Sequence, residues 1–198
     1  MNDPSATSQP EARKRNRTLL IVLVVVFLGS MFIAGVLRFS GWQPEGTRNV
    51  GELLEPPGDL RDVQPRTLDG TAYPWEPEAR LWRIVVAPPA DCGDECIRLA
   101  RDLDKVWQLF GRRADRVHVL WACPGSQPCE PPATAPPPSA MRVLHSDPAL
   151  RAGLPRLQDP AGVPVYVVDP NGFVILRYPP GSDLGGLRTD LARLLKLM

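Results

Sequence analysis

Two cysteines with three residues between them, Cys92 and Cys96 in Cys92-Gly93-Asp94-Glu95-Cys96, are the residues of this chain best placed to do chemistry. They follow an apolar run rich in β-branched residues, 81–87, that breaks at Pro88-Pro89, and they precede a helical pattern over 97–110. Strand, loop, cysteine pair and helix is the layout of a redox couple or a soft-metal site held at a helix N-terminus. Cβ atoms at i and i+4 of an ideal helix lie about 5–6 Å apart, whereas a disulfide wants about 3.5–4.5 Å. Cys92 is therefore expected just before the first turn and Cys96 inside it. There Cys92 meets the unpaired N–H groups and positive dipole end that favour thiolate. Asp91, Asp94 and Glu95 oppose ionisation and Arg98 partly offsets them. This balance describes an easily oxidised pair suited to a reductant or a metal-transfer dithiol. Cys92, facing solvent, attacks a partner disulfide and Cys96 resolves the mixed disulfide. The bland alternative is a structural disulfide or two idle thiols.

Cys123 and Cys129 bracket Pro124-Gly125-Ser126-Gln127-Pro128. A disulfide closing this small loop would steady a proline-rich excursion. A second metal site is the weaker alternative, because the loop holds no histidine. His118 alternates within a strand pattern and reads as an ordinary core or surface residue, while His145 lies in a loop beside Ser146-Asp147.

The elements that must position these groups begin with an anchor. Residues 1–18 form a basic tail carrying Arg13, Lys14, Arg15 and Arg17. Residues 19–38 follow, uncharged through Leu37 and close to the ~20 apolar residues a spanning helix needs. The apolar run exceeds a signal-peptide core and no Ala-x-Ala cleavage pattern follows it, so an uncleaved single-pass anchor is expected rather than a signal peptide. Positive residues stay cytoplasmic. The expected location is thus a bacterial inner membrane with the N-terminus in the cytoplasm and the remainder in the periplasm, where all four cysteines meet an oxidising environment. A net charge of +1 gives no electrostatic case for nucleic acid as a partner.

Residues 39–80, rich in proline, glycine and charge, read as a tether with a hairpin hinged at Asp69-Gly70. Residues 81–198 read as one domain, an α/β sandwich with a central mixed sheet. Strands are expected over 81–87, 116–122, 142–144, 163–168 and 173–178, and helices over 97–110, 149–154 and 183–198. The helix pattern at 97–110 shows Leu99, Leu103, Val106 and Phe110 on one face. Asp147-Pro148 supplies an N-cap and first-turn proline, and Asp169-Pro170-Asn171-Gly172 supplies the turn of a closing hairpin.

This order resembles the thioredoxin fold. Gly162-Val163-Pro164-Val165-Tyr166 is similar to the thioredoxin segment in which a cis-proline opens the strand before the terminal hairpin, which implies a cis Pro164 beside the sulfurs. The Cys-x-x-x-Cys spacing with a single N-terminal span resembles the Sco/SenC family, membrane-anchored thioredoxin-fold proteins of cytochrome c oxidase assembly. The resemblance implies copper handling or thiol–disulfide exchange at Cys92 and Cys96, and an oxidase subunit or thiol protein as partner. Ala161 stands where that family places a copper-binding histidine, and Ile97 stands where it commonly has proline. His145 is then the substitute third ligand. A non-catalytic Cu(I) chaperone, an assembly scaffold and an anchored thioredoxin for cytochrome c maturation remain the other readings.

Overall fold

The computed structural model of the chain describes residues 9–40, 49–125, 129–130 and 140–196. The polar start of the basic tail, the first part of the tether and most of the proline-rich loop after Cys123 lie outside the described residues. The chain divides into two compact units, Met1–Gly46 and Thr47–Met198.

Among its described residues the first unit holds one helix, α1 (Gln9–Phe39). Its Lys14–Phe39 portion is long and apolar enough to cross a membrane, and its large apolar side chains are exposed. A helix that is apolar all round has no face to bury within a small soluble domain, and this one is a candidate transmembrane anchor.

The second unit is built on a six-stranded mixed sheet in the order β1-β6-β5-β2-β3-β4. The strands are β1 (Glu52–Asp59), β2 (Trp82–Val86), β3 (Val117–Ala122), β4 (Met141–Leu144), β5 (Val165–Val168) and β6 (Phe173–Tyr178). β2 runs parallel to β3, and β3 to β4; β2–β5, β5–β6 and β6–β1 pair antiparallel. Among the described residues three α-helices complete the unit, α2 (Gly93–Gln108), α3 (Pro148–Ala152) and α4 (Leu184–Leu194), with short 3-10 helices at Pro77–Ala79 and Gly111–Arg116. This is the thioredoxin-like fold.

The sheet is buried on both faces, and period-two alternation sorts its residues between two cores. Ile84, Val86, Val119, Trp121, Val165 and Val167 pack with Ala100 and Leu103 of α2 and with Leu187 and Leu191 of α4. Val85, Ala87, Leu120, Ala122, Tyr166 and Val168 pack on the other face with Leu150, Leu154, Leu60 and Tyr73. Asp147 caps α3 as its sequence suggests, accepting from the N–H groups of Ala149 and Leu150.

The stretch 39–80, read from sequence as a tether, contributes more than a hairpin. The Asp69-Gly70 turn is present, bracketed by an Arg66–Ala72 bridge and a Thr67 N–H bond to the Thr71 carbonyl. Upstream of it, Glu52–Asp59 forms the edge strand β1, with a register shift between Leu53 and Gly58 that takes up Pro56 and Pro57. Proline donates no ladder hydrogen bond and is confined to such edges and bulges, which is why the segment does not look like a strand.

Three buried polar groups knit these layers. The Oδ2 atom of Asp190 on α4 accepts from Val50 N (2.7 Å), Gly51 N (2.9 Å) and the Tyr178 hydroxyl (2.7 Å). Arg177 on β6 pairs with Glu52 of β1 and Asp159. Arg83 on β2 donates to the carbonyls of Leu81, Asp169 and Pro170 and lies over the rings of Tyr73 and Trp75.

Candidate functional site

β2 ends against Ala87, and the chain turns through Pro88-Pro89 into α2. Arg151 of α3 holds this exit by donating to the carbonyls of Ala87 (3.1 Å) and Pro88 (3.2 Å). Cys92 occupies the N-cap position of α2, and Cys96 lies in the first turn. The two form a disulfide with Cα atoms 5.5 Å apart. Cys92 is partly exposed, whereas Cys96 is buried among Trp82, Ile84 and Ala100. The asymmetry follows from position: the N-cap residue borders solvent, and a residue four further on points into the face α2 buries against the sheet. Gly93 between them has φ +51°, with open space around it.

The acidic residues of the first turn, Asp94 and Glu95, have different environments. Asp94 is exposed. Glu95 reaches across to the lead-in of β5, where its Oε1 accepts from Val163 N at 2.8 Å. Gly162, at φ +134°, makes room for it, because a Cβ there would stand 2.9 Å from Glu95 Cδ.

Residues 160–165 form a ridge between two clefts. One, of about 440 Å³, is lined by Glu95, Arg98, Ala161, Val163 and Ser182. The other, of about 400 Å³, is lined by Ala87, Pro89, Arg151, Leu157 and Pro164. Pro164 thus shares a cleft with the loop that delivers Cys92. Its peptide bond is not the cis bond expected from resemblance: Val163–Pro164 is trans, and among the described residues the cis peptide is Glu55–Pro56. Gly162, just ahead of it, has φ +134°, a backbone conformation that glycine adopts readily.

Cys123, at the end of β3, is bonded to Cys129 with Cα atoms 5.6 Å apart. Cys123 is fully buried, and Cys129 packs against the same core as Cys92 and Cys96. His118 faces the opposite core, its Nδ1 2.8 Å from the Tyr73 hydroxyl. Burial, with Arg142 and Arg83 nearby, lowers its pKa to about 4. His145 follows the edge strand β4, and its N–H bonds to the Arg66 carbonyl. Two strand spacings, roughly 10 Å, separate β4 from β2. Among the described residues no cluster of three or more His, Cys, Asp or Glu is gathered for a metal. The cysteine pair, once reduced, is the donor set that suits a soft cation.

The Glu95–Val163 bond and the Arg151 grip on the β2 exit were not legible from sequence. Each joins residues more than sixty positions apart. The one local hint was Gly162 before Val-Pro, a glycine where another side chain approaches closely.

Fold and site together define a thioredoxin-like protein with a disulfide at the strand-to-helix junction of its first core crossover. A family model described as "Transmembrane-like, thioredoxin-like, C-terminal domain" matches residues 82–198. The chain belongs to that family. No curated protein sequence matches it. Among solved structures it is similar to BsSco, a member of the Sco family of cytochrome c oxidase assembly proteins in which a disulfide switch was identified. That similarity has 10% identity and a TM-score of 0.53, covering 78% of this chain and 99% of that one. It is similar also to a SCO1/SenC family lipoprotein from Bacillus anthracis str. Ames, with 15% identity, a TM-score of 0.53, and coverage of 71% and 98% respectively. At these identities the likeness is one of fold.

Proposed function

We propose that the chain is a membrane-tethered thiol–disulfide exchange protein, with Cys92 and Cys96 as its redox centre, serving the assembly of a copper site such as that of cytochrome c oxidase. The observation that carries the reading is the asymmetric disulfide: Cys92 partly exposed at the N-cap of α2 and Cys96 buried one turn on. In the reduced protein, the Cys92 thiolate attacks one sulfur of a partner disulfide and expels the other as a thiolate. Cys96 then attacks Cys92 Sγ in the mixed disulfide. The Cys92–Cys96 bond forms, the partner leaves as a dithiol, and two electrons have passed to it. The helix N-terminus favours the attacking thiolate, and burial holds Cys96 back as the resolving group. Pro164 and Pro89 line the cleft in which the partner segment would lie. The anchor, α1, keeps the domain at the membrane, with the basic tail in the cytoplasm and the domain on the periplasmic side of a bacterial inner membrane. Cys123–Cys129 is a structural staple in this reading.

The test is trapping. In membranes, Cys96→Ser should accumulate a mixed disulfide through Cys92, and Cys92→Ser should accumulate none. Equal trapping by both variants, or by neither, removes the assignment.

Copper handling is the second reading, favoured by the donor chemistry of two thiols within one helical turn. His145, bonded through its backbone at the far edge strand, is a poor third ligand. One Cu(I) retained per reduced chain, and lost in Cys92→Ser, supports this reading; dithiol cycling without retention removes it.

A further inference from the structure

We infer that Glu95 is a positioning residue of the redox centre, coupling the Cys92–Cys96 turn to the Gly162–Val163–Pro164 ridge. The inference rests on the exchange reading above and adds what controls the dithiol equilibrium.

Glu95 lies within the cysteine motif, directly before Cys96. Its own N–H bonds to the Cys92 carbonyl at 3.2 Å, so its backbone helps close the turn that carries both sulfurs. Its side chain leaves that turn and accepts from Val163 N at 2.8 Å, across 68 residues of sequence. Val163 is 4% exposed and lines the same cleft, so without the carboxylate its N–H loses the partner that holds it to α2. Arg98 lines the same cleft three residues further along α2, yet the carboxylate is committed to the backbone of the ridge. Gly162 supplies the second, independent sign: its backbone and its missing Cβ leave the space that Glu95 fills.

The consequence concerns the ordering of the turn. A hydrogen bond of this kind contributes about 0.5–1.5 kcal/mol net. This bond fixes the first turn of α2 against the sheet in the disulfide form, and its persistence in the dithiol is part of the inference. Less conformational freedom is then lost when the S–S bond forms, which raises the effective concentration of each thiol toward the other. Without the bond, the turn samples shapes in which the two thiols are apart, and the dithiol gains.

The experiment uses the full chain in detergent micelles, equilibrated with glutathione redox buffers. The state of the pair is read by alkylation and peptide mass. Glu95→Ala is expected to shift the equilibrium toward the dithiol by about three- to tenfold, or roughly 15–30 mV at 29.6 mV per tenfold. Glu95→Gln keeps an acceptor at the same reach and is expected to remain within about twofold of the native protein. Hydrogen exchange at the Val163 amide should quicken in the alanine variant and stay slow in the glutamine variant. An alanine variant within about twofold of native overturns the inference while leaving the exchange reading intact. So does a glutamine variant that shifts as far as alanine, since the charge rather than the bond would then be acting. A native pair that never equilibrates with glutathione removes the exchange reading and the inference with it.

Discussion

Replacing Asp190 with alanine takes the Oδ2 acceptor away from three donors at once, the N–H groups of Val50 and Gly51 and the hydroxyl of Tyr178, and Oδ1 away from the exposed guanidinium of Arg193 at 3.5 Å. Asp190 is 3% exposed and Tyr178 is 1% exposed. The Tyr178 hydroxyl is held well above its usual acidity range, chiefly by burial and then by its bond to the Asp190 carboxylate, so it stays a donor. Each buried donor left unpaired costs about 1–3 kcal/mol. Val50 is exposed and its N–H can turn to water, so about two full penalties remain, or roughly 2–6 kcal/mol in all. That is a large share of the ~5–15 kcal/mol by which a domain is stable. Tyr178→Phe removes one donor and leaves the carboxylate its two backbone partners, so it should cost about 1–1.5 kcal/mol. Because the groups share one oxygen, the double variant should fall short of the sum. Urea unfolding of the Thr47–Met198 unit, followed by the fluorescence of its buried Trp82 and Trp121, measures all three. A cost below about 1 kcal/mol for Asp190→Ala would refute the claim that this carboxylate ties the start of the domain to α4.

Other outcomes follow from the same geometry. His118 has its pKa lowered from 6.5 to about 4, first by burial and then by Arg142 and Arg83. The unfolded chain therefore takes up a proton that the folded chain refuses between these values. The contribution is complete above pH 6.5 and is lost as the pH falls toward 4. Allowing for partial exposure, native protein should lose about 1–2 kcal/mol more than His118→Gln across that window in urea titrations; parallel pH profiles would contradict it. Gly51→Ala would bring a Cβ to 2.5 Å from Cζ of the Tyr178 ring, so it should destabilise by about 1–3 kcal/mol as an overpacked site, readable as a lowered Tm. Removing the Cys123–Cys129 disulfide with paired serines should cost about 2 kcal/mol, the entropy of a loop this short, while the Cys92–Cys96 pair still cycles. Loss of cycling would give the second disulfide more than a structural role.

What the sequence disclosed and what it hid divide by range. The apolar runs of β2, β3 and β5 are near-continuous because both faces of the sheet are covered, and such runs are plain without a structure. The N-cap Asp147, the closing turn at Asp169–Gly172 and the placement of Cys92 ahead of Cys96 are local chemistry, decided within a few residues. β1 was hidden because its strand character is supplied by β6 across the sheet, against the preference of Pro56 and Pro57. Arg83 and Arg177 are charged residues in core strands, and their partners come from distant loops and strands. The trans bond before Pro164 departs from the expectation by resemblance. His145, attractive as a ligand because it follows a strand in a loop, is carried by β4 to the sheet edge. The Glu95–Val163 bond depends on a juxtaposition that only the folded chain creates.

The most direct test of the account is a redox titration of the full chain in detergent, with the thiols of each cysteine pair counted separately by alkylation and peptide mass. Cys92 and Cys96 should gain and lose two thiols together, reversibly and at one potential, with the domain folded throughout and Cys123–Cys129 still joined. A Cys92–Cys96 bond that opens only when the domain unfolds, or only together with Cys123–Cys129, would contradict the account.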